Sequence, residues 1–270
     1  MLEAVFTDLD GTLLNSRGEV GAEDFAAVAR LQRAGVRVYF ATGRHPCLCQ
    51  SFARRLGVER FVACNGSLIW DAREDRALDM IPFETELLRR LFAFLDAPGL
   101  YYSVQTEVRP YFDRRDPRLD LAAHAFYMRS GHSAFTGFGL RQELPFPPPE
   151  AVVKIGASGL SPRQLEQLKT QFPDCGIAPY PESGFAEISP GLCSKWYGIQ
   201  WLAQTDGFDL GGVLALGDSA NDLPMLRRAA YSAAPANAAP SAAAAAAFLT
   251  ADHNHNPLAA AVAHFCPELA

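Results

Sequence analysis

Apolar stretches just long enough for a buried strand alternate along this chain with amphipathic stretches of helical length. That alternation confines the fold to β-α-β units wound into a parallel sheet. Ala4-Val5-Phe6-Thr7 opens the series and runs straight into Asp8. Residues 22–34 place Phe25, Val28, Ala29 and Leu31 on one helical face, and Gly35 supplies a stop before a strand over 36–41. A helix around 46–56 and a strand over 61–64 make a second unit, followed by a turn at Asn65-Gly66. The expected fold class is α/β, a Rossmann-like doubly wound parallel sheet.

Near Ile81-Pro82 the texture changes. From 83 to 185 the pattern predicts a helix over 84–95, strands over 100–105 and 108–112, a helix over 119–128, a strand over 152–156, a helix over 162–172 and two short strands. The run Pro145-Phe146-Pro147-Pro148-Pro149 is too stiff for sheet interior and marks a connection inside this unit. A helix over 195–203 and the strand Val213-Leu214-Ala215-Leu216 then resume the first texture. Residues 1–82 and 186–270 therefore read as one discontinuous domain, and 83–185 as an inserted α/β domain. A chain of 270 residues with 49% hydrophobic content can bury cores for both.

A formal net charge of −6 lacks the basic footprint of nucleic-acid or anionic-membrane binders, so neither partner is expected. The start carries two aspartates in a short apolar run and no basic leader, and no apolar stretch reaches membrane-spanning length. The expectation is a soluble, cytoplasmic protein, monomer or homodimer. The six cysteines show no C-x-x-C spacing and read as reduced thiols, and the Asp252-His253-Asn254-His255-Asn256 segment reads as a solvated polar turn.

Four signals fall where a doubly wound sheet places its chemistry, near the carboxyl ends of strands. They are Asp8-Leu9-Asp10-Gly11-Thr12, Ala41-Thr42-Gly43-Arg44, Lys195, and Gly217-Asp218-Ser219-Ala220-Asn221-Asp222. Asp8 and Asp218 at adjacent strand ends would repel unless a cation lay between them, and hard carboxylate oxygens suit Mg²⁺. A phosphate held there could be attacked by the Asp8 carboxylate. Lys195, the Thr42 hydroxyl and backbone N–H groups around Leu9 to Gly11 and Gly43 would answer charge developing on the phosphoryl oxygens. Asp10 is spaced to give a proton to the leaving alkoxide and later to take one from water. Lys195 is one of only three lysines among 24 basic residues.

In order and type the four segments resemble the motifs of the haloacid dehalogenase superfamily, and closely those of its Cof-type phosphatases with a large C2 cap. The resemblance runs from Asp8 to about Pro235. It implies Asp8 as nucleophile, Asp10 as general acid/base, Thr42 and Lys195 as phosphate binders, and Asp218 with Asp222 as the acidic pair serving Mg²⁺. It further implies a metal contact from the main-chain carbonyl of Asp10, and substrate or phosphate contacts from Asn221 and the Asn65-Gly66 turn. Between Asp10 and Thr42 there is room only for a loop, a helix and a strand, so the cap falls in the later insertion, where it would exclude water and choose the substrate. The substrate would be a small phosphorylated metabolite, sugar phosphates foremost. Asn256-Pro257 departs from the Gly-Val pair of many relatives.

Plainer readings stand beside these. Asp218 and Asp222 could be helix N-terminal acids, Thr42 a helix cap, and Asn65-Gly66 a simple turn. Arg44 could be an ordinary exposed arginine or a substrate contact. A phosphotransferase or mutase, or a non-catalytic binding protein on the same fold, would share much of the pattern.

Overall fold

The structure, a computed structural model, describes residues 1–117, 137–191 and 193–269. The helix expected over 119–128 lies outside them. Strands β1 (Ala4–Thr7), β2 (Arg37–Ala41), β3 (Arg60–Ala63), β4 (Leu68–Asp71) and β5 (Arg76–Met80) come first. Next are β6 (Tyr101–Thr106), β7 (Pro110–Phe112), β8 (Gly139–Leu140), β9 (Val152–Ser158), β10 (Cys175–Tyr180) and β11 (Phe185–Pro190). Last are β12 (Val213–Leu216), β13 (Tyr231–Ala234) and β14 (Phe248–Leu249). One sheet has the order β14-β13-β12-β1-β2-β3-β4-β5 and the other β10-β11-β9-β6-β7-β8.

The first sheet is parallel from β14 through β3, as the β-α-β reading expected. The β4–β5 hairpin, which that reading did not include, adds two antiparallel strands at one edge. No helix separates those strands, and β5 is largely half-exposed, so they gave no β-α-β signal. Alternate side chains feed two cores. Val5, Leu214 and Phe40 pack under the helices Ala22–Arg33, Gln50–Leu56 and Pro257–Phe265, while Ala4, Phe6, Val213 and Ala215 pack against Trp196, Ile199 and Leu202 of the helix Lys195–Asp206. Each large apolar side chain fully buried this way contributes roughly 1.5–3 kcal/mol.

The second sheet is amphipathic. Val104, Ile155, Ala157 and Ile188 pack beneath the helices Thr85–Leu95 and Pro162–Gln171, with Leu91, Leu95 and Leu168 fully buried. The opposite face carries Ser103, Gln105, Lys154, Ser158 and Glu187 toward the carboxyl ends of the first sheet's parallel strands. Strand β11 keeps this sheet going to Pro190, past the expected return of the first unit at 186. A helix does occupy part of the alanine run (Pro240–Ala245), and Asn256, in the left-handed region, leads into the helix Pro257–Phe265 with proline at its start. No helix among the described residues is long and apolar enough to cross a membrane.

Candidate active site

Register delivers the acids. Thr7 pairs with Leu216 across β1 and β12, so Asp8 and Asp218 leave adjacent strand ends, and Asp8 N–H donates to Leu216 O at 2.9 Å. Asp8, Asp218 and Asp222 each offer a carboxylate oxygen within 4.8 Å of the others. Lys195, 0% exposed, places Nζ 3.0 Å from Asp8 Oδ1 and 2.6 Å from Asp222 Oδ1. It stands at the first position of its helix, capped by Ser194, whose hydroxyl accepts from Tyr197 N–H at 3.1 Å. The other Asp222 oxygen accepts from the N–H groups of Asp218 and Ser219, both at 2.9 Å, which locks the turn after β12.

The electrostatics leave a surplus of negative charge. Burial raises the Asp8 carboxyl well above its ordinary value, and Asp222, Asp218 and Asp10 add to that against the opposing pull of Lys195. Burial first and Asp222 second bring Asp218 up to about 7. Three clustered carboxylates thus face one ammonium, a donor set of hard oxygens that fits a divalent cation.

Around this cluster the structure assembles the remaining expected residues. Thr12 donates to Asp218 Oδ1 at 3.1 Å. Thr42, 1% exposed, follows β2; its Oγ1 accepts from Arg44 N–H at 3.1 Å, leaving the hydroxyl hydrogen for another acceptor. Asp10 sits at the open side and is gripped by Arg44, whose Nε and terminal nitrogen donate to its two oxygens at 2.6 and 2.5 Å. Arg44, expected to be either exposed or a substrate contact, is therefore a partner of Asp10 and lines the cavity as well. Its neighbour His45 is fully buried against Thr106 O; burial lowers its pKa to about 4 and keeps it neutral.

The Asn65-Gly66 turn is more than a reversal of direction. Cys64, Asn65 and Gly66 all take positive φ (50°, 59° and 95°), and Asn65 N–H donates to Thr42 O at 3.0 Å. A Cβ on Gly66 would lie 2.0 Å from Ser194 O, the cap of the Lys195 helix. Gly66→Ala is therefore expected to cost roughly 1–2 kcal/mol for the left-handed backbone and about 1–3 kcal/mol more for the overlap. A loss of unfolding free energy of that size in urea titrations would support the close approach, and an unchanged midpoint would refute it.

Asn221 stands in the same neighbourhood. Its amide nitrogen donates to Asn65 Oδ1 at 3.0 Å and to Glu187 Oε2 at 3.1 Å, and its oxygen accepts from Ser219 Oγ at 2.9 Å. Glu187, Lys154 and Tyr180 were absent from the sequence-based site. The available signal was a charge inside a strand: Lys154 interrupts Val152-Val153-Ile155 and Glu187 sits between Ala186 and Ile188. A cavity of about 760 Å³ lies between the two sheets, lined by Asp8, Asp218 and Thr42 on one side and Ser103, Lys154 and Ser158 on the other.

Known proteins place this geometry. The model of the haloacid dehalogenase-like hydrolases matches residues 5–262. Phosphatase YwpJ of Bacillus subtilis (strain 168) is 29% identical over 88% of this chain and 90% of its own. The 5-amino-6-(5-phospho-D-ribitylamino)uracil phosphatase YwtE of the same organism is 25% identical over 99% and 98%. A solved haloacid dehalogenase-like hydrolase from B. subtilis superposes with a TM-score of 0.81 at 24% identity, covering 98% of this chain and 100% of that one. With its four motifs gathered at one end of a parallel sheet, the chain belongs to the haloacid dehalogenase-like hydrolase family.

Proposed function

We propose that the protein is a Mg²⁺-dependent phosphatase that hydrolyses small phosphorylated metabolites, sugar phosphates foremost, through an aspartyl-phosphate on Asp8. The observation that carries this reading is the junction of the buried Asp8, Lys195 and Asp222 with the half-buried Asp218 at the ends of β1 and β12, opening onto the cavity. Relatives with phosphatase names across nearly the whole chain support it.

In the first half-reaction an Asp8 carboxylate oxygen attacks phosphorus, the bond to the leaving oxygen breaks, and Asp10 gives that oxygen its proton. In the second, Asp10 takes a proton from water, the water oxygen attacks phosphorus, and Asp8 is released with inorganic phosphate. Lys195, the Thr42 hydroxyl and the N–H groups of Leu9 to Gly11 and Gly43 answer the charge spread over the phosphoryl oxygens. A divalent cation held by Asp8, Asp218, Asp222 and the Asp10 carbonyl would supply the charge neutralisation that lets two anions meet. The unit from 83 through β11 acts as a cap that excludes water from the site. Arg44 keeps Asp10 at the cavity mouth until substrate arrives. Ser103, Gln105 and Ser158 on the cap face offer hydroxyl and amide partners of the kind a polyol uses. Six free cysteines, five of them buried, accord with a reducing cytoplasmic setting.

The test is phosphate release from p-nitrophenyl phosphate and a panel of sugar phosphates. Chelator is expected to abolish it and Mg²⁺ to restore it, with Mg²⁺ also raising the melting temperature. At a hundredfold excess over Kd that stabilisation would be about 2.7 kcal/mol. Hydrolysis that survives exhaustive chelation would defeat the reading.

A further inference from the structure

The cap contributes a charged pair to the catalytic core that the steps above do not use. Lys154 on β9 and Glu187 on β11 form a buried ion pair, 4% and 8% exposed, and Lys154 also donates to the Gly43 carbonyl. Glu187 Oε2 accepts from Asn65 Nδ2 at 2.9 Å, from Asn221 Nδ2 at 3.1 Å and from Tyr180 OH at 3.2 Å. The Thr42-Gly43 strand end, through Lys154, and the Asn65 turn and the turn after β12, through Glu187, thus converge on one cap ion pair. A Cβ on Gly43 would sit 2.9 Å from Glu187 Oε1 and 3.0 Å from Asn65 Oδ1, so only glycine admits this approach without displacing its neighbours. Burial alone would raise the Glu187 carboxyl, but Lys154, Asn65 and Lys195 outweigh it and hold the group down to about 2, fully charged in use.

We propose that Glu187, neutralised by Lys154, is a positioning residue that aligns Gly43, Asn65 and Asn221 around the phosphoryl group, so that the core's phosphate site is completed from the cap. Both side chains are already engaged by protein groups: Glu187 accepts from Lys154, Tyr180, Asn65 and Asn221, and Lys154 spends two of its three N–H groups on Glu187 and the Gly43 carbonyl. The pair therefore governs the half of the substrate that all phosphomonoesters share. The inference rests on the phosphatase reading.

Glu187→Gln keeps the shape but replaces one acceptor with a donor facing Lys154 or the two asparagine amides. Its kcat is expected to fall roughly 10- to 100-fold, as when outer partners of catalytic groups are lost. The drop should be the same for p-nitrophenyl phosphate and for a sugar phosphate. The double variant Lys154→Met/Glu187→Met, which removes both buried charges together, separates positioning from fold support. A wild-type melting temperature with kcat still depressed equally on both substrates would support the proposal. Wild-type kcat in either folded variant would overturn it, as would a drop confined to one substrate, which would make the pair a reader of the leaving group. Wild-type protein without phosphatase activity would instead overturn the function and leave the inference without its premise.

Discussion

Asp8→Asn is expected to reduce hydrolysis by roughly four to six orders of magnitude, the scale seen when a covalent nucleophile is removed. The fold should survive. Asparagine has the same shape, and Lys195 keeps Asp222 at 2.6 Å as a partner. The sign of the stability change follows from the titration of Asp8 itself. Its carboxyl is raised well above the ordinary 3.8 by burial and by three neighbouring acids. A carboxyl raised in the folded state binds its proton more tightly there than in the unfolded chain, so its ionisation opposes folding as pH climbs from about 4 toward the folded value. Asparagine removes that opposition. In metal-free buffer near pH 8 the variant should melt at or above the wild-type temperature while showing background turnover only. Activity within tenfold of wild type would exclude Asp8 as the nucleophile, and a lower melting temperature would show the anion to be structural.

How much of this was legible beforehand depended on whether a residue's role is set by its place along the chain or by an encounter across the fold. Asp8, Thr42 and Asp218 could be placed because each lies within two residues of a strand end, and a parallel sheet brings such ends together. Lys195 could be placed because the same motif order demands an ammonium there in a chain with few lysines. The Arg44–Asp10 pair and the convergence of Asn65, Asn221 and Glu187 join residues 34 to 156 positions apart, and no local periodicity encodes such distances. The β4–β5 hairpin escaped for a different reason. A sheet edge asks little of its strands, so their alternation is too weak to stand out from a connecting segment. The second sheet runs on to Pro190, past the change of texture read at 186. Strand β11 leads directly into the turn before Lys195, and both share the apolar-then-polar rhythm of the core.

Lys195→Met is expected to damage both activity and stability, and this separates it from Asp8→Asn. Removing one preorganised charge that meets the transition state costs about 10²- to 10³-fold in kcat. Removing one partner of a buried ion pair costs roughly 3–5 kcal/mol, because the remaining charges stay desolvated. Here two carboxylates, Asp8 and Asp222, lose the same ammonium. Burial works against the Lys195 charge, yet Asp222 and Asp8 outweigh it and raise its pKa above the ordinary 10.5. A lysine raised in this way gives its full stabilisation below about 10.5 and loses it only above, so the wild-type contribution is constant across neutral pH. The variant behaves otherwise. Without the ammonium Asp8, already raised by burial, favours its protonated form still more, and acidification toward pH 5 recovers part of the lost stability. The gap in melting temperature between wild type and Lys195→Met should therefore be wider at pH 8 than at pH 5 in chelator. A Lys195→Arg variant should not restore kcat, since a planar fork does not fit a fully enclosed space shaped for a single ammonium. An equal gap at both pH values would mean that Lys195 does not hold Asp8 in its charged form, which would refute the coupling of the two groups.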